Sequence, residues 1–530
     1  MPTLDWIGKD KVVNHHLDVP YRVLERQYSY DAEGMHTEDN GSENMIIHGD
    51  NLSALKSLLP QYEGRIKCIY IDPPYNTGNE GWIYSDSVSD PRILKWLGDV
   101  VGPEGTDLTR HDKWLCMMYP RLKLLQKLLS KEGTIFISLD DNEVYFAKII
   151  CDEIFGSNCF VANVIWENFY GRSNAGAISP AHNYTLIYSN AGQDWKYIRH
   201  LLPRSADSEK KYKNPDNDPR GPWRAGPIFA SGERHEGLMY TITTPSGRKV
   251  SAPKGSHWRM LEADFWRMVE DNRIIFGADG DNVPATKLFL NEVQGGMVPR
   301  SIWPYEEAGH TQEAKRELQA IFPENVPFDT PKPTKLLKQI LTIASDEDSI
   351  VLDSFAGSGT TAHAVLNMNK ADGGNRKFIL IEMMDYADSI TAERVKRVID
   401  GYGSGKQAVE GTGGDFSYYE LGETLMEHGR LNEEVGADKI REYVYFTETK
   451  QRLAPVSIEE PYLLGVHINT AYYFYYERAQ ITTLNREFLH TVKTDSEAYV
   501  MYADLCTLSD AELERYHITF KKIPRDISKL

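Results

Sequence analysis

The sequence predicts an open α/β sheet assembled from two separated stretches of chain, with an unrelated segment between them. Three observations carry this. Five short runs rich in β-branched residues each stop on an acid: MIIHGD at Asp50, CIYID at Asp72, TIFISLD at Asp140, SIVLD at Asp353 and KFILIE at Glu382. Segments with apolar residues at helical spacing lie between them. Residues of about 191–326 break both patterns.

Continuous apolar runs of this length suit strands buried on both faces, as in a parallel sheet. NLSALKSLL, the stretch from Trp114 to Leu129 and AHAVLNM read as the connecting helices, and alternation of this kind implies a doubly covered sheet. In such sheets ligands bind beyond the carboxyl ends of the strands. The five acids should therefore share one edge, although an acid there can also cap the next helix, a role that suits Asp140 best. The expected divisions are an N-terminal arm (1–40), a first half of the core (41–190), an insert (191–326), a second half (327–402) and an accessory domain (421–530). The glycine-rich GYGSGKQAVEGTGG at 401–414 reads as a flexible connection.

At 530 residues the chain exceeds one ordinary core. Its start, MPTLDWIGKDKVVNHH, lacks a signal-peptide core, and no apolar stretch reaches membrane-spanning length. A cytoplasmic protein is expected. Cys68, Cys116, Cys151, Cys159 and Cys506 show neither CxxC pairing nor zinc-ligand spacing, so no metal site is predicted. The net charge of −18 excludes a chain coated in basic residues. Residues 191–300, however, hold 17 basic against 14 acidic side chains, a net of +3.

VLDSFAGSGTTAHAVL (351–366) is strand, glycine turn, helix. Gly357 and Gly359 permit the bend and close ligand approach, and Ala362 lets the helix pack against the strand. A dinucleotide site, a phosphate loop and an S-adenosylmethionine site all compete for such a loop. No lysine follows the glycines, which disfavours the phosphate loop. Asp353 would repel a pyrophosphate and suits a cationic or hydroxyl-bearing ligand, while Glu382 could accept from a ribose diol. The sulfonium cofactor is preferred.

CIYIDPPYNTGNE (68–80) ends a strand on a stiff polar corner. The amino group of an aromatic base is a poor nucleophile because its lone pair is delocalised into the ring. Two acceptors for its hydrogens and a clamp on the ring improve it. Asp72 offers a carboxylate, Pro73 a carbonyl at a fixed angle with Pro74 stiffening the turn, and Tyr75 a face for stacking. An activated sulfonium needs no metal, so positioning does most of the work.

DPPY beside an FxGxG-type loop resembles the amino-methyltransferases of DNA, and DPPYNTGN resembles the adenine-N6 variant. Asp72 precedes Asp353 by about 280 residues, the reverse of the commoner order, which resembles the permuted beta class. With IIHGDNLSAL, WLCMMYPRL, GTIFISLDDNE and HNYTLIYSN, the chain is similar to the modification subunit of type III restriction–modification systems over about 40–190 and 327–400. The resemblance implies an open Rossmann-like S-adenosylmethionine-dependent methyltransferase sheet, circularly permuted, with a target-recognition insert. It implies a catalytic motif of Asp72, Pro73, Pro74 and Tyr75. It places Asp353, Ser354, Phe355, Ala356, Gly357, Gly359, Thr360 and Glu382 at the cofactor, with Lys332, Pro333, Thr334 and Asp50 as further candidates. His182 and Tyr184 fall near the target base.

The insert then takes target recognition, with Asn76, Lys196, Arg199, Arg204, Lys210, Lys211, Lys213, Arg220 and Arg224 as nucleic-acid contacts among Trp195 and Trp223; phosphate contacts set register while a few side chains read bases. A target adenine buried in the duplex must be rotated out to reach Tyr75. The partners implied are double-stranded DNA, a second copy of the chain held through 421–530, and an ATP-dependent helicase–nuclease restriction subunit. A solitary adenine methylase, an RNA or protein-amide methyltransferase, and a DNA-recognition subunit whose own transfer is incidental remain as alternatives.

Overall fold

The computed structural model describes residues 3–76, 95, 98–101, 109–171, 177–204, 206–232, 236–293, 295–324, 328–427, 429–454 and 458–525. Residues 77–79 of the DPPYNTGN stretch lie outside these. Each acid-ended run becomes a strand, and polar caps start two of the helices between them: Asp50 accepts from the Ser53 N–H, and Thr109 from the Asp112 N–H.

The first half of the chain forms β1 (Arg22–Asp31), β2 (Gly34–His36), β3 (Met45–His48), α1 (Asn51–Tyr62), β4 (Ile66–Ile71), α2 (Arg110–Leu128), β5 (Leu129–Leu139), α3 (Val144–Phe155), β6 (Phe160–Glu167) and β7 (His182–Ser189). The second half supplies β8 (Ile302–Trp303), α4 (Thr311–Ile321), α5 (Thr334–Ala344), β9 (Ile350–Asp353), α6 (Thr360–Asp372), β10 (Lys377–Glu382), α7 (Glu393–Asp400) and β11 (Asp415–Thr424). Among the described residues they build one eleven-stranded sheet in the order β8-β6-β7-β5-β4-β9-β10-β3-β11-β1-β2.

The central strands β5, β4, β9, β10, β3 and β11 run parallel. Ile69, Ile71, Ile135, Ile137, Leu352, Ile379 and Ile381 are buried in them, each contributing about 1.5–3 kcal/mol of burial free energy. Register decides the edge. Leu352 faces Ile69, Asp353 faces Leu380, Glu382 faces His48 and Ile71 faces Ile137. All five acids therefore emerge at the carboxyl edge, with the strand leading to Asp72 directly beside the strand leading to Asp353.

Two segments differ from expectation. The N-terminal arm is built into the sheet, because β1 pairs with β11 and β2. The glycine-rich 401–414 stretch is ordered: Gly401–Tyr402 pairs with Val409–Glu410, and Lys370 Nζ donates to the Glu410 carboxylate and the Gly411 carbonyl, each at 2.9 Å. It delivers β11 alongside β3.

Residues Leu201–Pro299 form a second compact unit, narrower than the texture break suggested because 300–321 return to the first unit as β8 and α4. It is more than loops. Strands Trp223–Gly226, Ala285–Phe289 and Ile274–Ile275 form a small sheet. Trp258, fully buried, packs against Phe229, Tyr240 and Phe265 with centroids 4.7–5.3 Å apart. Beyond β11, helix Ala437–Thr449 and a four-stranded sheet (Leu463–His467, Thr470–Phe474, Ala498–Ala503, Ile518–Lys522) complete the first unit. Tyr443 of that helix packs edge-on against Tyr21, 4.9 Å between centroids. No helix among the described residues is long and apolar enough to cross a membrane.

Candidate active site

A cavity of about 290 Å³ opens at the carboxyl edge, lined on one side by Asp72, Pro73, Pro74 and Tyr75 and on the other by Phe355, Gly357 and Glu382. The corner and the glycine turn thus face a common space. Its volume suits a small-molecule site.

The corner is held rigidly. Trp114 on α2 donates its indole N–H to the Pro74 carbonyl at 2.8 Å. Asn183 on β7 donates to the Tyr75 hydroxyl at 3.4 Å. Burial, reinforced by the Asp72 charge, pushes the Tyr75 phenol well above its ordinary range, so it stays neutral. One Asp72 oxygen accepts from the Lys332 ammonium, which also lies 5.0 Å from the Tyr75 ring centroid. The other, Oδ1, is buried without a hydrogen-bond partner among the described residues.

The glycine turn is organised from beneath. Asp353 accepts from the Phe355 N–H at 3.0 Å and the Thr361 hydroxyl at 2.5 Å. Glu382 accepts from the Gly357 N–H at 2.8 Å and the Met384 N–H at 3.0 Å. Burial pushes both carboxyls up to about 7. Gly357 has φ +51°, and a Cβ there would stand 3.1 Å from Phe328 Cζ. At Gly359, φ +79°, a Cβ would stand 3.0 Å from the Thr391 carbonyl oxygen.

Not every expected residue reaches the cavity. Asp50 caps α1, accepting from Ser53 at 2.9 Å, and pairs with Arg121 at 3.1 Å. Its neighbour Asn51 lines the space instead. Thr334 spends its N–H and hydroxyl on Glu317. The Thr360 hydroxyl accepts from buried Arg394 at 2.7 Å. Asp353, Ser354, Ala356 and Gly359 are buried in the turn and do not line the cavity. Asp140 closes a local turn onto Asn142. The Tyr184 hydroxyl donates to Asp141 at 2.8 Å, and the His182 ring packs edge-on against it. That stretch meets the corner through Asn183, between the two.

Asn76 is corrected most sharply. Expected at the nucleic acid, it is 1 % exposed at φ +58°. Its amide donates to Glu143 Oε1 at 2.5 Å and to the Arg110 carbonyl at 2.9 Å, which fixes the exit of the corner. In the second unit Arg220 is also committed, bonded to Asp218 and Asp271, and Trp223 donates to Asp216. Lys210, Lys211, Lys213 and Arg224 stay exposed there and Arg204 half-buried. Lys196 and Arg199 belong to the first unit, where Trp195 is buried.

Residues that sequence reasoning missed include Arg121, Asn51, Asn183, Phe328 and Tyr386, all at the cavity. Arg121 is 2 % exposed and bonds Asn51, Asp50 and the Met117 carbonyl. The signal was an arginine inside the apolar run WLCMMYPRL. Tyr386 follows Glu382 by four residues, and its ring meets Phe328 edge-on at 5.8 Å.

Residues 66–393 match the family model described as DNA methylase. The chain is 37 % identical to the type III restriction-modification enzyme StyLTI Mod subunit of Salmonella typhimurium, over 74 % of this chain and 62 % of that protein. It is 29 % identical to the EcoP15I Mod subunit of Escherichia coli, over 76 % and 66 %, and 30 % identical to the type II methyltransferase M.KpnI of Klebsiella pneumoniae, over 65 % and 81 %. The chain spans less than two thirds of the length of these Mod relatives. With more than half its residues matched across both faces of the cavity, the chain belongs to the DNA methylase family.

Proposed function

We propose that the protein transfers a methyl group from S-adenosylmethionine to the N6 amino group of adenine at a specific sequence in duplex DNA. The observation that carries this reading is the single cavity shared by the Asp72–Tyr75 corner and the Phe355–Gly357 turn. The residues present fit the cofactor. Gly357 keeps the turn free of a side chain, Glu382 is an acid suited to ribose hydroxyls, and Asp72 favours a cation over a phosphate. When bound, the cofactor supplies an electrophilic methyl on sulfonium.

Asp72 and the Pro73 carbonyl hold the two hydrogens of the amino group, which turns its nitrogen lone pair out of conjugation. Tyr75, neutral and rigid, stacks on the base, worth about 1–3 kcal/mol. Asp72 is the nearest acceptor for the proton lost after transfer. Positioning of this kind supplies much of a rate enhancement without a strong base.

The chain order, corner before glycine turn, supports a circularly permuted member of the family. The second unit, with its exposed basic side chains, takes target recognition. A helicase–nuclease restriction subunit, a homodimer formed through 421–530 and a cytoplasmic setting complete the reading. Methylation-sensitive sequencing of DNA from cells making the protein should show N6-methyladenine at one short sequence. Unmodified DNA, or modification unaffected by Asp72→Ala, would refute it.

A further inference from the structure

The Lys332 ammonium lies in the notch that the methylation reading assigns to the target amino group. It pairs with Asp72 and lies 5.0 Å from the Tyr75 ring centroid, with the two side chains only 11 % and 22 % exposed. A carboxylate in such a place is costly when bare.

The segment beneath Lys332 is stiff. Pro331 and Pro333 flank it, and Pro333 precedes α5. Thr334 is fixed to Glu317 through both its N–H and its hydroxyl, at 3.1 and 2.9 Å. The four-carbon stem alone is then free to carry the charge in or out. Asp72 Oδ1 is itself buried, so the oxygen that Lys332 holds is the one an entering amino group competes for.

We propose that Lys332 is a stand-in for the target amino group: it holds the Asp72 carboxylate until an incoming adenine displaces it. Base entry becomes an exchange of one N–H donor for another, and Asp72 is never left bare. A target lacking the 6-amino group cannot make that exchange and leaves Lys332 in place. Lys332 is thus a positioning residue that competes with substrate for the corner.

The inference rests on the adenine-methylation reading and is tested by crossing two changes. Duplexes carrying the protein's own site, with adenine or purine at the target position, are titrated against wild type, Lys332→Met and Lys332→Arg. In wild type the amino group gains Asp72 but loses the Lys332 pair, so discrimination between the two bases is small. Lys332→Met removes the competitor, and the ratio of purine to adenine Kd should rise about tenfold, the worth of a charged hydrogen bond. Lys332→Arg keeps the cation and should hold the wild-type ratio. An unchanged or smaller ratio in Lys332→Met overturns the proposal. Should the methionine variant not fold, Lys332→Gln carries the same test. Wild type that does not methylate the adenine duplex refutes the functional reading instead, so the two failures are distinguishable.

Discussion

Gly357 and Gly359 sit two residues apart in one turn, yet alanine should damage the protein differently at each. At Gly359, φ is +79°, and the new Cβ would come 3.0 Å from the Thr391 carbonyl oxygen and 3.3 Å from Thr391 Cγ2. Left-handed backbone costs a non-glycine residue roughly 1–2 kcal/mol. Thr391 cannot retreat freely, because its hydroxyl donates to the Gly357 carbonyl at 2.6 Å. Overpacking adds about 1–3 kcal/mol, so Gly359→Ala should lose roughly 2–4 kcal/mol of stability. At Gly357, φ is +51° and the Cβ meets the Phe328 ring 3.1 Å away. That contact is with a side-chain tip and not with backbone, so the cost is chiefly the backbone's, about 1–2 kcal/mol. Phe328 lines the cavity, however, so the displaced ring should weaken S-adenosylmethionine binding by about tenfold or more. Urea denaturation and calorimetric titration with the cofactor separate the two. Gly359→Ala as stable as wild type, or Gly357→Ala less stable than Gly359→Ala, would refute this reasoning.

Glu143→Ala should cost about 1–3 kcal/mol by unpairing Asn76 and the His111 ring, bonded at 2.5 and 2.9 Å, and should lower kcat while cofactor Kd holds; calorimetry and single-turnover methylation check both. Asp353 and Glu382, each pushed up to about 7 by burial, bind protons in the folded state that the unfolded chain has released. Stability should therefore fall as pH rises from about 4 to about 7 and then level off, in urea melts. Cofactor affinity should rise over pH 6–8 as they ionise, and Glu382→Gln should flatten that rise. Light scattering should give twice the chain mass for the full protein and the single mass once 421–530 is removed; a dimer that survives the deletion defeats the assignment to that region.

The five acid-ended strands, their direction and the acids at their tips were legible from a local pattern. An apolar run must be buried, and the residue that ends it must face water or a ligand. The corner and the glycine turn were legible for a similar reason, since proline and glycine leave few backbone choices. The uses of individual polar groups were not. Asn76, Asp50, Thr334 and Arg220 carry the chemistry of ligand contacts, but each is claimed by a partner between 17 and about 70 residues away, which no local pattern can reveal. The adjacency of β4 and β9 likewise joins residues nearly 300 positions apart. Only that long-range pairing sets Lys332 on Asp72 and makes one cavity from two motifs. Local sterics are written in short stretches; hydrogen-bond partners are chosen by the packed chain as a whole.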